Sequence, residues 1–333
     1  AKIHRQAAMQ VSARSSDKPR YALLPPAAGR GFERMPKPSA QDLFFDMEGD
    51  PLFGEKGLEY LFGVIVGNRD GAPFKSFWAH DEAQEKKAFE EFMDFVVDHL
   101  RRNPGAHIYH YNHYEVTALR RLSSRHATRE AEIDDLLRKE KFVDLLKVVR
   151  EGIVVSEPSY SLKNIEKFYL AKREGAVANA GDSIVAYETW RSTGDETILK
   201  DIESYNEIDC RSTVGLRHWL LTLRPDALPW KTSGATDESD APSNADLASA
   251  ELEALTARLN EALANDDPHF RELVIGLLEF HRREQKPQWW AYFDRQNLEV
   301  DEIIDDTECL GGLELLGPPR PDKRSLIHDY RFP

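Results

Sequence analysis

Cysteine is nearly absent. Cys210 and Cys309 are the only two among 333 residues, which excludes a disulfide framework and offers no zinc-ligand spacing. That scarcity favours a reducing, cytoplasmic setting. Long apolar runs are missing too. No stretch approaches the roughly 18–20 residues that cross a bilayer, so no membrane partner is expected. There is no GxxxxGKS/T phosphate loop, and so no P-loop nucleotide site. No internal repeat is found. The first residues, Ala1-Lys2-Ile3-His4, have neither an initiating Met nor the apolar core of a signal peptide. The sequence reads as a piece of a longer chain.

Basic residues are outnumbered, 44 Lys+Arg against 58 Asp+Glu, for a net charge of −14. The imbalance is local. Residues 231–333 hold 22 acidic and 11 basic residues, and the part before them is near neutral. This argues against a protein that coats nucleic acid indiscriminately. It leaves room for basic patches that grip one end of a polyanion. The composition, 41% hydrophobic and 31% charged, is that of a globular protein, and the length suggests two units.

Residues 1–40 are polar and carry five prolines. They read as an N-terminal arm with little regular structure, or as the tail of a preceding domain. Residues 42–48, 59–67 and 74–79 read as three strands, with Asn68-Arg69-Asp70-Gly71 as a hairpin turn between the last two. A helix is expected over 82–102, where Phe89, Phe92, Met93, Val96, Val97 and Leu100 recur at helical spacing. A short strand follows at 106–111 and a helix at 113–125. One or two helices are expected over 130–150, a short one at 161–170, and two more at 183–192 and 195–223. The core domain is therefore 41–228. Its expected fold is α/β: a mixed sheet, an antiparallel three-strand meander plus parallel strands, flanked by helices. Residues 229–248 read as a flexible acidic linker. Residues 249–333 read as a small helical extension, with helices at 249–264 and 268–285, an aromatic knot of Trp289, Trp290, Tyr292 and Phe293, and a weakly structured Gly/Pro-rich end.

The chemistry concentrates on FFDMEGDP, residues 44–51. In a strand, Asp46 and Glu48 share a face. Two bare carboxylates so placed share a proton or hold a divalent cation; alone, they could equally be surface acids on an edge strand. Two later stretches add to them. Tyr109-His110-Tyr111-Asn112-His113-Tyr114-Glu115 puts Glu115 in the first turn of a helix, where the helix dipole would also favour it. In Tyr205-Asn206-Glu207-Ile208-Asp209, Tyr205 and Asp209 share a helix face. Asp46, Glu48, Glu115 and Asp209 can be packed together only around cations. Two Mg²⁺ or Mn²⁺ ions there would activate a water for in-line attack on a phosphodiester, with the Tyr205 hydroxyl orienting it.

This arrangement resembles the DEDD superfamily of 3′–5′ exonucleases on the ribonuclease-H-like fold. Tyr205, four residues before Asp209, resembles the tyrosine subclass; the histidine subclass would want His where Ser204 stands. FFDMEGDP, GLEYLFGV, YHYNHYE, YSLKNIEKFY and YNEIDCRST together resemble an exonuclease-like domain, akin to YprB-type ribonuclease-H-like domains. It is found in bacterial proteins that join a RecB-like nuclease to a superfamily 1 helicase. FHRREQKPQWWAYFDR (280–295) resembles the bridge ahead of that helicase. The chain departs from the superfamily in having Glu115 where Asp is usual. The resemblance implies a metal-dependent 3′–5′ exonuclease with two ions. Its substrate would be a nucleic-acid 3′ end, single-stranded DNA favoured over RNA, and its partners the fused nuclease and helicase. The alternative is a non-catalytic nucleic-acid-binding module of the same protein.

Other residues have two readings each. Lys163 is a phosphate contact or a solvated helix residue. Asn112 and Asp144 stand near the expected site, and Asp144 is equally a helix cap. Asp50 reads as a turn residue before Pro51. His110 and His113 read as packed or solvent-facing. Phe53, Tyr187 and Trp190 read as core rather than base-stacking platforms, and Cys210 as a small buried hydrophobe.

Overall fold

The computed structural model describes residues 2–14, 18–69, 71–170, 180–232 and 244–278, then 280, 292, 295, 303–304, 309–323 and 325–331. The chain divides into two units, Ala1–Ala241 and Pro242–Pro333. Among the described residues no helix is long and apolar enough to cross a membrane.

The sequence reading of residues 1–40 as an irregular arm is corrected by the structure. Helix α1 spans Lys2–Ala13, strand β1 spans Tyr21–Leu23, and a 3₁₀ turn covers Gly31–Arg34. Phe32 and Met35 are buried in the core. Two apolar residues in a polar, proline-rich stretch carry no periodicity, so only their tertiary contacts show that they belong inside.

Strand β2 (Leu43–Asp50) is the hub. It pairs antiparallel with β3 (Leu58–Val66), which pairs antiparallel with β4 (Phe74–Trp78). Helix α2 (Glu82–Arg102) then crosses one face. Asp81 caps it by accepting from the Gln84 N–H at 2.8 Å, and acidic residues in its first turn and basic ones in its last suit the helix dipole. The crossover delivers β5 (Ile108–His110) parallel to the other edge of β2. Helices α3 (Tyr114–His126) and α4 (Glu130–Arg138) follow, then β6 (Phe142–Asp144), parallel to β5. The sheet order is β4-β3-β2-β5-β6. This is the expected mixed α/β sheet with one strand more. β6 lies inside the stretch expected to be helical, because three residues are too few to show a period of two. Helix α5 (Leu145–Gly152) starts at once, capped by Asp144. Strand β7 (Ile153–Val155) pairs with β1 in a separate ladder. Helices α6 (Leu162–Glu166), α7 (Ala180–Thr193) and α8 (Glu196–Leu223) complete the unit.

Alternation along β2 divides the core. Phe45 and Met47 join Phe89, Phe92 and Met93 of α2 and Leu119 and Leu122 of α3. Phe44 faces the other way, with Leu145 and Val148 of α5 and Cys210, Leu216 and Leu220 of α8. The second layer hangs on a buried ion pair. Arg217 and Asp42 are both fully buried, with Nη1 3.3 Å from Oδ2. Asp42 also accepts from the backbone N–H groups of His107 and Ser39, each at 2.9 Å. The Arg217 guanidinium lies over the rings of Phe44 and Tyr109. Burial pushes the Asp42 carboxyl up to about 6 against the pull of these donors.

In the second unit, α9 (Asn244–Ala262) and α10 (Pro268–Leu278) are followed by four short strands. Strand β8 (Glu314–Leu315) pairs with β11 (Tyr330–Arg331), and β9 (Arg320–Asp322) pairs with β10 (Ser325–Ile327). The end is thus more ordered than its Gly/Pro content suggests. Helix α9 starts inside the expected linker. Residues 233–243, Asp70 of the expected hairpin turn, and Trp289, Trp290 and Phe293 of the expected aromatic knot lie outside the described residues.

Asp42→Ala would leave Arg217 buried without its counter-ion. A loss of about 3–5 kcal/mol in unfolding free energy is expected, measured by urea denaturation.

Candidate metal centre

The alternation of β2 turns Asp46 and Glu48 to one face of the sheet, and α8 lies across that face. The long helix is started by Asp195, whose side chain accepts from the Thr197 N–H at 3.0 Å. It brings Tyr205, Asn206 and Asp209 to the sheet, all buried. Its close approach depends on Gly63, the β3 partner of Asp46. A Cβ at Gly63 would overlap the Asn206 amide oxygen. One turn along, the Cys210 thiol meets the Gly63 carbonyl at 3.3 Å; burial pushes that thiol up, as for a packed, unreactive cysteine.

Asp46, Glu48 and Asp209 come together here. Each offers a carboxylate oxygen, and these oxygens all lie within 4.8 Å of one another. Asp46 is half-buried, and Glu48 and Asp209 are buried. Asn206 Nδ2 donates to Asp46 Oδ2 at 2.8 Å. Burial pushes the Glu48 carboxyl up to about 8, and the charge of Asp209 adds to this. Hydrogen bonds from Ser183 and Asn206 and the charge of Lys163 pull the other way. The Tyr205 hydroxyl is held well above its ordinary value, chiefly by burial, then by the charges of Asp209, Glu48 and Asp46. Lys163 Nζ sits 5.2 Å from the centre of the Tyr205 ring.

A cluster of hard oxygen donors fits a hard divalent cation and suits softer metals poorly. The raised Glu48 agrees with this: where no cation is bound, burial and then the Asp209 charge favour its protonated form. Among the described residues no other such cluster occurs.

Glu115 is buried in the first turn of α3, where the sequence puts it, but it is not in this group. Its Oε2 lies 3.6 Å from Nδ1 of the buried His110, which donates to the Asn112 carbonyl at 2.6 Å. Burial pushes the Glu115 carboxyl up, against His110. Burial pulls His110 down, yet Glu115, Asp144 and the Asn112 carbonyl carry it above its ordinary value. Asn112 is left-handed, with φ 87°, and its N–H donates to Asp144 Oδ1 at 2.9 Å. The same Asp144 oxygen accepts from the Leu146 N–H. Asp144 therefore caps α5 and fixes the β5–α3 turn that presents Glu115. His113 bonds the Asn112 side chain at 2.7 Å. Asp50 Oδ1 accepts from the Leu52 N–H at 2.8 Å, as a turn residue does.

Sequence reasoning missed Asn206, Gly63 and Ser183. Asn206 had a signal, since it stands three residues before Asp209 and so on nearly the same helix face. A lone glycine inside a strand also hints at close approach. Nothing local marks Ser183.

The RNase H superfamily model matches residues 43–221. The chain belongs to the RNase H superfamily. The match starts at the first residue of β2 and ends within α8, the two elements that carry the three carboxylates of this RNase H domain. Comparisons with curated proteins and with solved structures returned no match.

Glu48 sets a pH dependence. Its folded value, about 8, is above its ordinary 4.5, so between the two the folded protein holds a proton that the unfolded chain has released. Without metal, the Glu48 contribution to stability therefore falls as pH rises through this window. A bound cation must displace that proton, so its affinity rises over the same window. Thermal melts with and without Mn²⁺ should show a larger stabilisation by the ion at about pH 8 than at about pH 6.

Proposed function

We propose that the RNase H domain is a divalent-metal-dependent nuclease that releases nucleotides from the 3′ end of nucleic acid, with single-stranded DNA as its preferred substrate. One observation carries the reading: three carboxylates from β2 and α8 have oxygens within 4.8 Å of one another, with Tyr205 one turn before Asp209 on α8. Asp46, Glu48 and Asp209 are the residues that would hold Mg²⁺ or Mn²⁺. Two such ions would supply Lewis acidity to the scissile phosphate and to the attacking and leaving oxygens.

The chain's own groups have distinct tasks. Tyr205 keeps its proton, because burial and the surrounding carboxylates oppose its loss. Its hydroxyl oxygen has lone pairs that can accept from a water and orient it. As the water oxygen bonds to phosphorus it releases a proton to solvent, the bond from phosphorus to the 3′ oxygen of the penultimate nucleotide breaks, that oxygen takes up a proton from solvent, and a 5′-mononucleotide leaves. Lys163, beside Tyr205 and felt by Glu48, places positive charge where the substrate phosphate must come. Asn112 and Asp144 shape the turn before α3 and act on the substrate through that turn. We place the domain beside a RecB-like nuclease and a superfamily 1 helicase, where it would trim an unwound strand.

The pairing of Glu115 with His110 favours a second reading, a nucleic-acid-binding module that does not cut. A fourth ligand from Glu115 requires that it leave His110. The two readings separate in a Mn²⁺-dependent assay on a 5′-labelled single-stranded oligonucleotide. Asp46→Ala and Asp209→Ala should each lose more activity than the roughly 10- to 100-fold that loss of an outer hydrogen-bond partner costs. Glu115→Ala should weaken activity without abolishing it. Equal release by parent and Asp46→Ala rules out the nuclease reading.

A further inference from the structure

Three carbonyls on the outer edge of β7 are met by side chains in place of a neighbouring strand. In the β1–β7 ladder the Leu24 N–H donates to the Gly152 carbonyl and the Ser156 N–H to the Arg20 carbonyl, each at 2.8 Å. Residues 152, 154 and 156 thus turn their backbone groups to β1, and 153, 155 and 157 turn theirs away. The Val155 carbonyl accepts from Gln6 Nε2 at 2.8 Å, and the Glu157 carbonyl from Gln10 Nε2 at 3.3 Å. The Ile153 carbonyl accepts from the Tyr160 hydroxyl at 3.3 Å. Gln6 and Gln10 are one turn apart on α1, a rise of about 6 Å, close to the roughly 6.6 Å between alternate residues of a strand. Helix α1 holds to β7 through these amides, since none of its described residues is buried.

Tyr160 ties this contact to the site. Its hydroxyl also donates to the Gln6 amide oxygen at 3.0 Å, so its one proton lies between two acceptors, and the Gln6 amide grips strand and tyrosine at once. Its carbonyl accepts from the Tyr111 hydroxyl at 2.5 Å, in the turn that presents Glu115. Tyr160 stands just ahead of α6. On either side of it, Asn164 Nδ2 donates to Ser159 Oγ at 2.8 Å, and Lys167 Nζ meets the Glu157 carboxylate at 2.5 Å. Helix α6 has five residues, too few to be stable alone. Its place is set by this segment and by the burial of Ile165 in the core. It carries Lys163, whose Nζ sits over the Tyr205 ring.

We propose that Tyr160 is a positioning residue that holds α6, and with it Lys163, in place, and that α1 is the clasp acting on it from outside. The proposal rests on the reading of Lys163 as the contact to the substrate phosphate. Helix α1 lies wholly ahead of residues 43–221, the region matched to the RNase H superfamily, so substrate binding is set in part from beyond that region. With α1 released, the Val155 and Glu157 carbonyls turn to water and the Tyr160 hydroxyl keeps the Ile153 carbonyl alone. The segment ahead of α6 then loses its outer support, and the Lys163 charge spreads over more positions. A tyrosine kept only for packing would need its ring and not its hydroxyl.

The test compares Gln6→Ala, Tyr160→Phe and Lys163→Ala in the full chain. Gln6 is half-buried on a helix that Ala suits, so Gln6→Ala decides if Tyr160→Phe proves unstable. Gln6→Ala and Tyr160→Phe should both speed amide exchange over residues 162–166, where the Asn164 and Ile165 N–H groups bond the Ser161 carbonyl. Both should weaken binding of a single-stranded oligonucleotide roughly 2- to 10-fold, the range of one hydrogen bond. In the nuclease assay the loss should fall on KM, with kcat unchanged. The slope of log affinity against log salt should flatten by about 0.7, as for Lys163→Ala, because one phosphate contact is lost; a loss of packing alone leaves that slope as it is. Tyr160→Phe combined with Lys163→Ala should bind no more weakly than Lys163→Ala alone, because Tyr160 acts through Lys163. Parental exchange over 162–166 in either variant overturns the proposal, and so does faster exchange with parental affinity and salt slope. Faster exchange in the variants of a parent that binds no oligonucleotide leaves the clasp on α6 standing and removes the nuclease reading alone.

Discussion

Mutual repulsion of like charges is the constraint on which this domain turns. Three carboxylates are held with oxygens within 4.8 Å, where two full negative charges repel by roughly 3–4 kcal/mol at an effective dielectric of about 20. No strand and helix would approach each other in this way for the sake of those groups. The approach is imposed from elsewhere on α8. Arg217 is locked to Asp42 at the start of β2, Leu216 and Leu220 fill the core behind it, and Gly63 leaves the gap into which Asn206 descends. Apolar packing at one end of the helix thus drives an electrostatically unfavourable contact at the other. The energy stored there is what a cation recovers on binding.

Glu115 shows how the fold limits that repulsion. A fourth acid in the group would add three more unfavourable pairs. Instead, Glu115 and His110 face each other in a buried pocket of their own, framed by a turn that Asn112 and Asp144 hold rigid. The left-handed Asn112 is the strained point of that turn. Polar groups from β5, α3 and β6 therefore contain one acid, while Asn206 of α8 aims Asp46.

Much of this was legible in the sequence, for definable reasons. Strand β3 is a nearly unbroken apolar run and β4 alternates, helices α2 and α8 are long, and Asp46 and Glu48 on β2 and Tyr205 and Asp209 on α8 sit at spacings that fix a shared face. What could not be read is contact between distant residues. Phe32 and Met35 lie in a stretch without period. β6 is three residues long between two helices. Glu115 stands where expected, but its partner His110 precedes it by five residues across a turn whose shape depends on Asp144. Ser183 sits on a helix with no apolar stripe, so its burial against the Tyr60 hydroxyl, 123 residues away in the chain, has no local sign.

The pairing of β2 with α8 also sets the order in which the chain can fold as it is made. Asp42 meets Arg217 across 175 residues, and Asp46 meets Asn206 across 160. At a synthesis rate of about 5–20 residues per second, that separation is roughly 8–30 s. Strands β2 to β4 and helix α2 are neighbours in sequence and can close the Phe45–Phe92 layer early. The opposite face, with both strand acids, is not closed until α8 leaves the ribosome. The half-built sheet keeps its carboxylates hydrated, and the element that dehydrates them is the last to arrive and carries the third.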